Sequence, residues 1–147
     1  MELDNIVHDK IVALCEQADE HVNRGNYSDA LAQYSEAWAL LPEPKFQWEA
    51  ALWIIAAIGD AYFFMHDYER ALQAFSDAVR CPNGVGNPFT HLRLGECYFE
   101  LGNKPKAQDE LTRAYMGGGR ELFNKEDPKY LDLLRSVLQP PAGQTKL

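Results

Sequence analysis

The side chains in this 147-residue chain best suited to acid–base, nucleophilic or metal chemistry are four histidines and three cysteines, and their spacing arranges none of it. A zinc-dependent hydrolase needs two histidines one helical turn apart with a glutamate beside the first, and a structural zinc site needs cysteines paired two residues apart. His8, His21, His66 and His91 are scattered, and Cys15, Cys81 and Cys97 have no partner at that spacing. Asp4 and His8, one turn apart on a helix, read as a surface pair. Gly84-x-Gly86 and the run Gly117 to Gly119 lack the lysine, hydroxyl and strand context of a phosphate loop, so they read as turns. No catalytic residue, metal or cofactor is therefore expected.

What remains is surface and charge. The net charge is −8 with a pI near 4.9, which argues against nucleic acid, because phosphate contacts need clustered lysine and arginine. The same charge attracts a basic protein partner over long range. A hydrophobic fraction of 46% with 12% aromatics is the composition of a folded domain. The opening residues MELDNIVHDK carry acids where an export signal carries positive charge. The most apolar stretch, Ala50 to Met65, is too short to span a bilayer and holds Asp60. Three cysteines without a pairing pattern suit reduced thiols, so a cytoplasmic location away from membranes is expected.

The elements that position these surfaces come from an internal repeat. Ala18, Ala30, Tyr34 and Ala37 are separated by 12, 4 and 3 residues, as are Gly59, Ala71, Phe75 and Ala78, and again Gly95, Ala107, Leu111 and Ala114. Each set reads small, small, large, small. A small residue on a first helix lets a second approach closely, and the later three lie along one face of that second helix. Gly25-Asn26, His66-Asp67 and Gly102-Asn103 fall between the two helices of each set, where a left-handed residue ends a helix. Tyr27, Tyr34, Tyr62, Tyr68, Phe75 and Tyr98 are the aromatics expected to fill the gaps that the small residues leave.

The pattern resembles the tetratricopeptide repeat, with its W-x2-L-G-x2-Y, A-x3-F and P signature. Ile55-x2-Ile58-Gly59-x2-Tyr62 followed by Ala71-x3-Phe75 and Pro82 carries it best; His91-x2-Leu94-Gly95-x2-Tyr98 with Ala107-x3-Leu111 repeats it, and Leu14-x2-Gln17-Ala18-x2-His21 with Ala30-x3-Tyr34 and Pro42 is the most degenerate. The resemblance implies an all-α fold of three helix-turn-helix units in a right-handed superhelix. The expected units are residues 11–44, 52–85 and 88–121, with a capping helix over 127–138, all within one domain of residues 1–138; 139–147 is expected to be a flexible tail. Unit spacings of 41 and 36 exceed the family's 34. The seven extra residues near Pro42 to Ala51 place the start of the second unit's leading helix early, around Pro44, so that it projects beyond its neighbours. The two in Cys81 to Gly86 form a loop closed by Asn87 as N-cap and Pro88 at the first helical position.

The family's leading helices line a groove. Carrying those positions over implies partner contacts from Glu16, Asp19 and Asn23 on the first, from Trp53, Asp60, Phe63 and Phe64 on the second, and from Phe89, Arg93, Glu96, Phe99 and Glu100 on the third. Acids interleaved with large aromatics suit a lysine- or arginine-bearing segment. Lys45, Gln47 and Trp48 are secondary candidates. Family members that grip the acidic tail of a heat-shock chaperone use Lys, Asn and Arg; their clamp positions fall here on Cys15, Asp19, Ala57, Phe89 and Arg93, which is unsuited to a carboxylate ligand. The third unit and cap, Gly86-Asn87-Pro88-Phe89-x2-Leu92-Arg93-Leu94-Gly95, Asp109-Glu110-Leu111-x2-Ala114-Tyr115-Met116 and Glu126-Asp127-Pro128-Lys129-Tyr130, are similar to stand-alone bacterial tetratricopeptide proteins encoded beside polymorphic toxins. That resemblance implies an immunity protein that blocks a toxin domain. A generic adaptor and a secretion chaperone for a secreted substrate are the alternatives.

Overall fold

A computed structural model describes residues 3–136 of the chain. Among them are seven α-helices and no strand: α1 (Asn5–Asn23), α2 (Tyr27–Leu40), α3 (Glu49–Phe64), α4 (Tyr68–Ala78), α5 (Pro88–Glu100), α6 (Lys104–Gly118) and α7 (Pro128–Arg135). The helices pack as hairpins α1–α2, α3–α4 and α5–α6, the all-α helix-turn-helix architecture expected from the repeat. The chain divides into two compact units, Met1–Val85 and Gly86–Leu147. Val137 and Leu138, expected in the capping helix, and the expected tail 139–147 lie outside the described residues.

The hairpin turns are built alike. Gly25 and Gly102 take φ of +78° and +84°, a left-handed conformation that costs glycine nothing. His66 holds the equivalent place at φ +62°. The next residue caps the following helix each time, and the Asp67 and Asn103 side chains accept from the backbone N–H three residues on, Arg70 and Lys106. Asn87 caps α5 by accepting from Phe89 and Thr90 with Pro88 in the first turn, and Asp127 caps α7 by accepting from Lys129.

Close approach depends on the small residues. A Cβ added to Gly59 would sit 2.7 Å from the Phe75 ring, and one added to Gly95 would sit 2.5 Å from Leu111 Cγ. Both large partners are fully buried, and each such side chain contributes about 2–3 kcal/mol of burial free energy. In the first unit Ile11, Ala18, Ala30, Tyr34, Ala37 and Ile54 share the core; in the second Leu92, Leu111, Ala114, Phe123, Leu131 and Leu134 do.

One expectation is corrected. The second leading helix does not begin near Pro44: α3 starts at Glu49 and spans 16 residues against 19 in α1. The intervening residues fold back onto the end of α2. Lys45 Nζ donates to the carbonyls of Leu41 at 2.6 Å and Trp38 at 3.0 Å and so places its positive charge at the C-terminal end of α2. The Trp48 indole donates to the Pro42 carbonyl at 2.8 Å, and Phe46 packs edge-on to Trp38 at 5.4 Å. A 3-10 turn, Lys45–Gln47, is all the helix this segment forms before α3.

Candidate functional site

The face of α3 that carries Trp53 is set by helical geometry. Asp60 and Phe64 lie seven and eleven residues beyond Trp53, close to two and three full turns, so the three share one side. Trp53 is 40% exposed and Phe64 42%, well above the usual solvent contact of such large apolar rings. Asp60 and Phe63 are half-buried. Phe64 stacks on Tyr27 at 5.9 Å and meets Phe63 edge-on at 5.9 Å, and Phe63 continues to Tyr68 at 5.5 Å. A train of rings thus runs along the turn ends of the first two hairpins and stiffens the exposed member.

On α1, Glu16, Asp19 and Asn23 are exposed. Asp19 accepts a hydrogen bond from the Tyr34 hydroxyl of α2, which fixes the carboxylate at the surface. Burial, that bond and the nearby Asp19 charge hold the Tyr34 hydroxyl far above its ordinary range, with Cys15 and Asp60 adding to the effect. Burial and then Asp19 push the Cys15 thiol up to about 11, so it is no nucleophile at neutral pH. Near the start of α3, Trp53, Trp48, Glu49 and His8 border an open pocket of about 490 Å³. Of the secondary candidates, Gln47 and Trp48 line that pocket, and Lys45 borders a separate cleft.

The α5 residues are placed differently, and here the sequence expectation needs correction. Glu96 is fully buried and Arg93 is 6% exposed, so neither offers a surface to a partner. Arg93 Nη1 donates to Glu96 Oε1 at 2.6 Å and to Glu126 Oε1 at 2.5 Å, tying α5 to the segment ahead of α7. Its guanidinium also lies 4.8 Å from the centre of the half-buried Phe89 ring. Phe99 and Glu100 are covered from the same segment. Tyr130 donates to Glu100 at 2.7 Å, Lys129 pairs with Glu100 at 2.5 Å, and the Tyr130 ring sits 5.3 Å edge-on to Phe99. The residues following α6 pack on the face that the family pattern leaves to a ligand.

Electrostatics agree with that reading. Burial pushes the Glu96 carboxyl up to about 9, a bond shared with Glu126 adds to the effect, and Arg93 opposes it. Burial alone would raise Glu100, but its bonds from Lys129 and Tyr130 outweigh that and hold it below the ordinary range. His91 Nδ1 lies 2.6 Å from Glu110 Oε2 and pairs α5 with α6 inside the hairpin. Among the described residues, no three His, Cys, Asp or Glu side chains are grouped to hold a metal ion, and no helix is long and apolar enough to cross a membrane.

Repeated antiparallel helix pairs with a small residue at each crossing define a helical-repeat scaffold. Residues 56–121 match the model of the tetratricopeptide repeat family. No curated protein matches it in sequence. Its fold is similar to that of the Yersinia enterocolitica type III secretion chaperone SycD in complex with a peptide of the translocator YopD, with a TM-score of 0.71 and 17% identity over 90% of this chain and 95% of that one. PcrH from Pseudomonas aeruginosa gives 0.69 and 17% over 92% and 95%. The first repeat domain of Spaghetti (RPAP3), bound to an HSP90 peptide, gives 0.66 and 19% over 87% and 90%. At these identities the likeness is one of fold.

Proposed function

We propose that this chain is a non-catalytic protein-binding scaffold that holds a basic partner domain on the leading-helix faces of its first two hairpins, and that its role is that of an immunity protein blocking a toxin domain. The observation that carries the surface is the pair of exposed rings Trp53 and Phe64 on one side of α3. Phe64 is held rigid by the neighbouring rings of Tyr27 and Phe63, which suits a binding hot spot, since little side-chain entropy is lost on contact. The exposed acids Glu16 and Asp19 on α1 and the chain's charge of −8 favour a cationic partner and speed its approach. Occlusion of the toxin's active cleft needs no chemistry from the scaffold. The toxin assignment rests on the likeness of the third unit and cap to immunity-type proteins.

A carboxylate-ended peptide such as the one bound by the Spaghetti domain fits poorly. Of the positions matching that clamp, Cys15 is buried, Asp19 is acidic, and Arg93 is already bonded to two carboxylates inside the second unit. A secretion chaperone is the second reading, favoured by the likeness to SycD over 90% of this chain. Co-expression separates the two. Rescue of growth by this chain when the toxin domain of a neighbouring gene is induced supports immunity; stabilisation of a neighbouring secreted translocator without any rescue supports the chaperone. In the immunity case, Trp53→Ala with Phe64→Ala is expected to weaken toxin binding about a hundredfold by calorimetry. Unchanged affinity would place the partner elsewhere on the scaffold.

A further inference from the structure

The side of α3 opposite Trp53 holds a second concavity that the proposed binding surface does not use. Tyr62 lies nine residues, two and a half turns, beyond Trp53. With Ile55 and Ile58 it floors a cleft of about 580 Å³ whose walls are Trp38 of α2, Phe46 of the fold-back segment and Ala74 of α4. That volume is ample for several side chains and falls in the range of genuine binding clefts. The fold-back segment is the reason it exists. Phe46 is held against Trp38 on one side and beneath the Arg80 guanidinium, 4.6 Å from its ring centre, on the other, so it stands as a fixed wall.

The charges around the cleft are mostly spent within the chain. Lys45 is bonded to carbonyls at the end of α2, Arg70 to Asp67, and Asp77 accepts from Gln73 and Arg80. Glu43 is exposed and, among the described residues, is the lining charge with no bonded partner. An occupant must therefore bring apolar side chains for the floor and a cation for Glu43. It must also satisfy its own backbone. The walls and floor come mainly from helices, whose amide and carbonyl groups are consumed internally, so an extended strand would bury unpaired polar groups at a cost of about 1–3 kcal/mol each. A helix carries its backbone bonds with it.

We infer that this cleft is a second docking site, for an amphipathic helix of a partner protein that presents aliphatic side chains three or four residues apart with a lysine or arginine beside them. The inference goes beyond the proposed toxin-binding surface and stands whether or not that surface is used. Its test is a phage-displayed library of helical peptides panned against the full chain. The expected winners carry aliphatic residues at helical spacing flanked by a basic one. Their synthetic versions are expected to shift the Ile55 and Ile58 methyl resonances, to lose at least tenfold in affinity with Phe46→Ala, and to lose about threefold with Glu43→Lys. They should bind Trp53→Ala unchanged. Glu43→Lys is exposed and unbonded, so it reads binding without disturbing the fold if Phe46→Ala loosens it. No enriched peptide, winners without helical spacing, or winners indifferent to both Phe46→Ala and Glu43→Lys would overturn the assignment.

Discussion

The residue after the small one in each leading helix is an acid, and α1 and α5 give that acid opposite fates. Asp19, after Ala18, is exposed and receives one hydrogen bond from Tyr34. Glu96, after Gly95, is fully buried and bonded to Arg93. The repeat keeps its crossing residues, because two helices cannot pack without them. It does not keep the environment of the neighbouring positions. In the second unit the residues after α6 return over α5 and convert a would-be ligand surface into an internal polar network. Binding capacity in such a scaffold is thus a property of what each leading helix leaves uncovered.

The sharpest way to break this contrast is Arg93→Ala. It removes the guanidinium bonded to both the buried Glu96 and the partly buried Glu126 and is expected to cost about 3 kcal/mol in urea unfolding, whereas Glu16→Ala on the open α1 face should change stability by less than about 0.5 kcal/mol. Equal effects would mean that the α5 network is as exposed as α1. Next comes the shared crossing. Gly95→Ala places a methyl against Leu111 side-chain and backbone atoms and is expected to cost about 2 kcal/mol, with Gly59→Ala, whose nearest contacts are atoms of the Phe75 ring, costing somewhat less. A neutral outcome at both would show that the small residues are not the spacers.

The pH dependence at Glu96 is the most diagnostic of burial. A carboxyl with a folded pKa near 9 binds more protons folded than unfolded, so its contribution is complete below the ordinary carboxyl range and is lost as pH rises toward 9. Glu96→Gln, which keeps the shape and the hydrogen-bonding reach, is expected to remove that loss and to be the more stable of the two at pH 8. Near pH 4 the two should converge. Parallel pH profiles would show Glu96 to be ionised throughout.

Much of the fold was legible because its determinants are local and periodic. The 12, 4 and 3 spacing named the residues that prove to be crossings, and Gly25, Gly102, Asn87 and Asp127 marked turns and caps through their own backbone and side-chain chemistry. The start of α3 was misread because the preference of Lys45 for the end of α2, and of Trp48 for the Pro42 carbonyl, are contacts four to seven residues long that periodicity does not register. The α5 surface was misread for a stronger version of the same reason: Glu126, Lys129 and Tyr130 lie 30 or more residues from Arg93 and Glu100 in most of the pairs they form. The cleft beside Phe46 left one trace in the chain, the seven residues beyond the standard repeat length, with nothing to say what they would build.

By itself the chain of residues determined that helices form, where they turn, and which side chains meet at each crossing, because backbone preference and the 3.6-residue period act over a few positions. Only tertiary structure decided that Trp53 and Phe64 stay open while Arg93 and Glu96 are enclosed. Burial is set by what arrives from elsewhere in the chain, and the energy of a charged or aromatic side chain depends on that arrival more than on its own identity.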